Sequence, residues 1–183
     1  METKTMQLLL DTVKNCGAYG AAYLTADQIV LDAQFRKACE SNSCGRYGRC
    51  YQCPPDLGQI EELMARVREY PGGVLYQSVG QLEDSFDFEG MMDAAVSHMQ
   101  LSQRIQKTIL PLLGSGFLHL SSGCRLCKRC AKEDNLPCRY PDTALGAMEG
   151  YGMDVYRTVE STPLNYINGK DTVTYFGIIL FAE

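Results

Sequence analysis

Three cysteines recur at every third position in Cys124-Arg-Leu-Cys127-Lys-Arg-Cys130, and Cys138 follows eight residues later, ahead of Arg139-Tyr140-Pro141. Three thiolates at this spacing can hold three corners of a 4Fe–4S cubane from one tight loop, with a distal cysteine supplying the fourth. Zinc is the alternative metal. Its common pattern is two C-x2-C pairs a dozen or more residues apart, and a third cysteine on the next step is superfluous for it. The spacing therefore favours iron–sulfur over zinc. Arg125, Lys128, Arg129, Lys132 and Arg139 lie between or beside these cysteines, against only Glu133 and Asp134. Such a local positive field would offset the charge of a thiolate-bound cluster. It would also suit docking of an acidic redox partner such as a ferredoxin, and the alternative reading is a solvated basic loop.

Four more cysteines, Cys39, Cys44, Cys50 and Cys53, stand in "ACESNSCGRYGRCYQCPPDLG". Their C-x4-C-x5-C-x2-C-P-P spacing is not the C-x3-C-x2-C of radical-SAM enzymes. Cys50-Tyr-Gln-Cys53 is formally a C-x-x-C dithiol, but Pro54-Pro55 separates it from the helix start that would lower a thiol pKa. Three metal arrangements remain open. Each segment holds its own cubane; or ligands cross over, with Cys53 completing the Cys124, Cys127 and Cys130 set while Cys138 joins Cys39 and Cys44; or Cys39, Cys44 and Cys53 hold a cluster whose fourth iron is open to a substrate. Each brings the two halves of the chain together, or at least onto one rim. Each also predicts a poorly folded metal-free protein, because metal binding contributes folding free energy.

The rest of the composition narrows the setting. At 183 residues, with 45% hydrophobic and 21% charged residues, the chain is long enough to bury a core as a single domain, without disulfides to hold it. Nine cysteines is an odd number for a fully paired framework. The start, METKTMQLLLDTVKNCG, lacks the apolar core of a signal peptide, and no stretch has the ~20 apolar residues of a membrane span. The expectation is a cytoplasmic protein with reduced thiols. A net charge of −5 argues against general nucleic-acid binding, and two histidines are too few for a histidine-rich metal site.

Periodicity supplies the elements that must position the cysteines. Helical spacing predicts helices over 4–15, from Leu57 to Val67, over the long stretch 88–113 and over 153–159. Strands are predicted over 18–24, 74–79, 117–120 and 173–182, the last being apolar enough for burial on both faces. Residues 28–35 alternate at period two and read as a further strand, in an antiparallel hairpin with 18–24. The fold class is α/β: one layered domain with a mixed sheet of about five strands and the cysteine loops at strand ends. Gly45, Gly48 and Pro54-Pro55 read either as turn residues or as small and rigid positions that let backbone N–H groups reach cluster sulfurs. His98 reads as a packed or surface residue, and Cys16 as a buried free thiol. His119 could hydrogen-bond a cluster sulfur. Glu149 could move protons, and Asp154 fits a helix start.

The chain resembles a prokaryotic cysteine-rich family of predicted metal-binding proteins of unknown function. The resemblance spans nearly the whole chain through "CGRYGRCYQCPPDLGQIEELMARVREY", "CRLCKRCAKEDNLPCRYPDTALGAMEGYGMDV" and the final "VTYFGIILF". It implies a single metal-binding domain and supplies no substrate. Cys39, Cys44 and Cys53 match the family pattern, whereas Cys50 stands where that pattern usually has no cysteine.

Overall fold

The computed structural model describes residues 2–182. Ten elements follow one another: α1 (Glu2–Asn15), β1 (Gly20–Thr25), α2 (Gln34–Glu40), α3 (Ile60–Arg68), β2 (Gly72–Gln81), α4 (Phe88–Leu113), β3 (Phe117–Ser121), β4 (Gly146–Ala147), α5 (Val155–Glu160) and β5 (Thr172–Phe181). The five strands form one mixed sheet in the order β1-β2-β5-β3-β4. Every pairing is antiparallel except that of β3 with β4.

The sheet is the middle of three layers because its two central strands are apolar on both faces. Along β2 and β5, Val74, Tyr76, Ile179 and Phe181 face one way, where α1 and α4 cover them with Leu9, Val13, Leu101, Ile105 and Ile109. Leu75, Phe176, Ile178 and Leu180 face the other way, against Leu63 and Val67 of α3 and Val155 and Val159 of α5. Neighbours along a strand point to opposite faces, so Ile178 and Ile179 are both fully buried, in different layers. Each such side chain contributes about 1.5–3 kcal/mol by leaving water.

A polar seam runs through the α1/α4 layer. The fully buried Tyr76 hydroxyl donates to Ser102 Oγ at 2.7 Å and pairs with His119 Nε2 at 2.7 Å. His119 Nδ1 pairs in turn with Gln106 at 2.7 Å, and Ser102 Oγ meets Ser121 Oγ at 2.9 Å. Tyr76 lies opposite Gly177 in the β2/β5 register. A Cβ at residue 177 would stand 2.2 Å from the Tyr76 ring, so only glycine leaves room for the tyrosine there.

The strand expected over 28–35 does not form. Residues 26–28 make a short 3-10 turn, Leu31 makes one isolated bridge to Met153, and Gln34 already begins α2. The backbone of this segment is bound elsewhere: Val30 N donates to Thr158 Oγ1, and the N–H groups of Asp154 and Asp32 donate to Val30 and Gly152 carbonyls. The apolar alternation is therefore spent on packing beside α5. The partner of β1 is β2, not a hairpin neighbour.

Candidate metal centre

The two cysteine segments enter the site from different supports. Cys39 rides on α2, which Arg36 fastens by donating to the Gly58 carbonyl at 2.7 Å and the Gly150 carbonyl at 3.3 Å. So the first segment follows a helix, not the strand expected from its alternation. It then folds back on itself: Asn42 Oδ1 accepts from Tyr47 N, Gly48 N donates to the Pro54 carbonyl, and Cys53 N donates to the Cys50 carbonyl. Gly45 and Gly48 have φ of +69° and +67° with open space around them. Their backbone conformation is what needs glycine here, which is the turn role. The second segment leaves the end of β3 through Ser122 and Gly123. Cys130 opens a 3-10 turn over Ala131–Asp134, and Cys138 Sγ accepts from Tyr140 N at 3.4 Å.

Four side chains join the segments. Arg46 Nη2 donates to the Cys124 carbonyl and stands 3.7 Å from Cys50 Sγ. Arg49 pairs with Glu133 at 2.7 Å, Lys132 pairs with Asp56, and Tyr51 donates to the Leu136 carbonyl at 2.9 Å. Arg129 is also paired, with Asp134 at 2.9 Å. The basic field expected from the sequence is thus partly neutralised. Arg125, Lys128 and Arg139 have no acidic side chain within 4.0 Å among the described residues.

The clustered thiols line two adjoining spaces, and all nine cysteines of the chain are free. A tight crevice of about 10 Å³ is lined by Cys50, Cys124, Cys127, Cys130 and Cys138. A wider cavity of about 310 Å³ is lined by Cys39, Cys44, Cys53 and again Cys124. Among the described residues no three His, Cys, Asp or Glu side chains stand in a ready arrangement for a single metal ion.

Cys50, Cys53 and Cys124 meet at the wall between the two spaces. Cys50 accepts from the Cys124 and Cys53 thiols and has Arg46 beside it, which lowers its pKa despite burial. Cys53 and Cys124 are pushed the other way, each by holding its proton toward Cys50 and by burial. A metal requires deprotonated thiols, so loading releases the remaining protons.

Two further groups face the wider cavity. Glu149 opens into it although protein surrounds the carboxyl, and this enclosure pushes its pKa up. Burial, and then the nearby Glu149 charge, raises the pKa of the Cys39 thiol. Ser122 lines the same cavity, and its Oγ is buried with no hydrogen-bond partner among the described residues. An unpaired buried hydroxyl costs about 1–3 kcal/mol. The thiols of both segments, gathered around these two spaces, are a donor set that fits a thiolate-bound iron–sulfur cluster.

A family model described as "Predicted metal-binding protein (DUF2284)" matches residues 22–181. The chain belongs to this family. No curated protein and no solved structure matches it. Membership in the predicted metal-binding family agrees with the convergence of two distant cysteine segments, and neither names the metal.

The remaining sequence expectations meet mixed outcomes. His119 does not approach the cysteines; it is buried against Tyr76 and Gln106. His98 is fully buried, and its Nδ1 pairs with Ser78 Oγ at 2.7 Å. Cys16 is only half-buried, 3.7 Å from Thr108 Oγ1. Asp154 caps α5, accepting from Arg157 N at 3.0 Å. Arg46 and Ser122 were not legible as site residues. An arginine between Gly45 and Tyr47 has no periodic signature, and Ser122 matters only because β3 ends just before it.

Proposed function

We propose that this protein is an iron–sulfur protein that carries electrons through two 4Fe–4S clusters, in the reducing environment of the cytoplasm. The observation that carries the reading is the convergence of eight cysteines from two distant segments on two adjoining spaces. The C-x2-C-x2-C spacing with its distal cysteine supports iron–sulfur over zinc. When bound, such clusters exchange single electrons at a potential set by nearby charge and hydrogen bonding.

The chain's own residues supply the setting. The thiolates of Cys39, Cys44, Cys50, Cys53, Cys124, Cys127, Cys130 and Cys138 hold the metal. Arg46, between the two spaces, offsets their negative charge. Leu126 and Ala131 line the crevice with apolar surface and limit water there. Arg125, Lys128 and Arg139 offer the charge with which an acidic redox partner of ferredoxin type would dock. No helix of the described chain is long and apolar enough to cross a membrane.

One observation favours a second reading. The wider cavity has about 310 Å³ and a carboxyl, Glu149, opening into it. If only Cys39, Cys44 and Cys53 held metal there, an open iron could act on a small molecule, with Glu149 as the proton donor or acceptor.

Anaerobic purification tests the proposal. Iron, zinc and acid-labile sulfide are counted, and an EPR spectrum is taken after reduction. The expected result is a brown protein with about eight irons and eight sulfides per chain and a signal that appears on reduction. A colourless protein holding zinc and no sulfide would overturn it.

A further inference from the structure

We infer that the two cysteine segments exchange one ligand each: Cys50 joins Cys127, Cys130 and Cys138 around one cluster, and Cys124 joins Cys39, Cys44 and Cys53 around the other. The inference rests on the iron–sulfur reading above and deepens it.

The placement of the thiols carries it. Cys50 lines the crevice and not the wider cavity, although it lies only three residues before Cys53. Cys53 lines the wider cavity and not the crevice. Between them the chain turns, with Cys53 N donating to the Cys50 carbonyl at 3.0 Å, and the two residues line different spaces although their sulfurs meet at the wall between them. Among the cysteines, Cys124 alone borders both.

Counting then decides Cys124. A cubane takes four thiolates. The crevice has four without it: Cys50, Cys127, Cys130 and Cys138. The wider cavity has three without it: Cys39, Cys44 and Cys53. Assigning Cys124 to the wider cavity completes both sets and leaves no thiol over. Its immediate neighbours agree, since Ser122, Gly123 and Arg125 all line the wider cavity, whereas Leu126 lines the crevice. The loop therefore crosses the wall between Cys124 and Cys127. Arg46 holds the crossing point from the other segment by donating to the Cys124 carbonyl beside Cys50 Sγ.

This arrangement differs from both simple alternatives. It is not one cluster per segment, because each segment gives up one cysteine. Nor is it an exchange of Cys53 and Cys138, because both of these stay with their sequence neighbours. It also gives the unexpected Cys50 a role: without it, the crevice could be completed only by Cys124, leaving the wider cavity one thiolate short. With Cys124 in place, no iron in the wider cavity is left open.

The test is thiol footprinting of anaerobically loaded protein. Brief alkylation is followed by mass spectrometry, with Cys16 as an internal control outside both sets. Two variants are compared, Cys138→Ser and Cys44→Ser, because each removes a ligand that sits in a loop outside every helix and strand. In Cys138→Ser the expected result is that Cys50, Cys127 and Cys130 become alkylated together while Cys124 stays protected with Cys39, Cys44 and Cys53. In Cys44→Ser the expected release is Cys39, Cys53 and Cys124, with Cys50 still protected. Iron content should fall by about half in each. Release of Cys124 together with Cys127 and Cys130, or of Cys50 together with Cys39, would overturn the exchange. Release of all the remaining clustered cysteines in both variants would overturn two separate cages. The two variants read the exchange from opposite sides, so either one, if folded by circular dichroism, decides it. Failure of the underlying reading looks different: wild-type protein without iron and sulfide ends the iron–sulfur proposal whatever the pattern of protection.

Discussion

Replacing Gly177 with alanine should destabilise the protein through Tyr76 alone. The new Cβ would lie 2.2 Å from the tyrosine ring, and ordinary contact begins at 3.4 Å, so the ring must retreat by 3.4 − 2.2 = 1.2 Å. Tyr76 is fully buried between the sheet and α4, and its hydroxyl pairs with both Ser102 and His119. Overpacking of this kind costs about 1–3 kcal/mol. Losing two buried hydrogen bonds adds about 1 kcal/mol each. The sum is roughly 3–5 kcal/mol, which for a chain of this length lowers Tm by about 6–20 °C. Thermal unfolding followed by circular dichroism measures it. Gly116→Ala is the control, since the nearest atom to a Cβ there is 3.6 Å away. It should stay within about 0.5 kcal/mol of wild type. In a Tyr76→Leu background, Gly177→Ala should cost far less, because the clashing ring is gone. A drop of less than about 2 °C, or the same drop with and without Tyr76, would refute the argument.

Acid should destabilise the fold through its two histidines. Burial lowers the pKa of His98 to about 4 and of His119 to about 3, so below about pH 6.5 the unfolded chain takes up protons that the native state refuses. Their contribution is complete above about pH 6.5 and declines toward those lowered values by up to ~1.4 kcal/mol per pH unit for each; His119→Gln should flatten the dependence of Tm on pH, and an unaltered slope would count against it. Asp154→Ala removes the cap of the six-residue helix α5 and should cost about 1 kcal/mol, whereas Asp154→Asn should keep most of the stability. Equal losses in the two variants would show that capping is not its role. Arg46→Gln removes a charged hydrogen bond to the Cys124 carbonyl, about 1.5–3 kcal/mol, and should speed amide hydrogen exchange over 124–130; exchange at the wild-type rate would mean that Arg46 does not hold the loop.

The elements that repeat a simple period were legible in the sequence. The stripe of α4, the two-faced run of β5 and the short strand β3 each occupy nearly the expected residues, because each meets the core along its whole length. Residues 28–35 misled because alternation over a few residues is the mark of a strand only where a neighbour offers free backbone groups. Here Asp154, Thr158 and Gly152 took those groups first. The two-residue strand β4 was too short to carry any period. At the site, the identity of the clustered cysteines was legible and their partition was not. Spacing groups thiols by nearness along the chain, whereas the turn between Cys50 and Cys53 and the passage from Cys124 to Cys127 separate near neighbours into different spaces. The three-sulfur contact of Cys50, Cys53 and Cys124 depends on side-chain directions that no spacing encodes.

The position of β5 sets an order of events during synthesis. Among the described residues it is the last strand in the chain, yet it lies between β2 and β3, so neither has its inner neighbour until Thr172–Phe181 has emerged. From Cys53 to Thr172 is 172 − 53 = 119 positions, which take roughly 6–24 s to translate at ordinary elongation rates. Throughout that interval the first four clustered thiols precede the strand that joins β1 and β2 to β3 and β4. A site that depends on this frame is completed only after Thr172–Phe181 has been made. The cell must meanwhile keep those thiols reduced and away from competing metals.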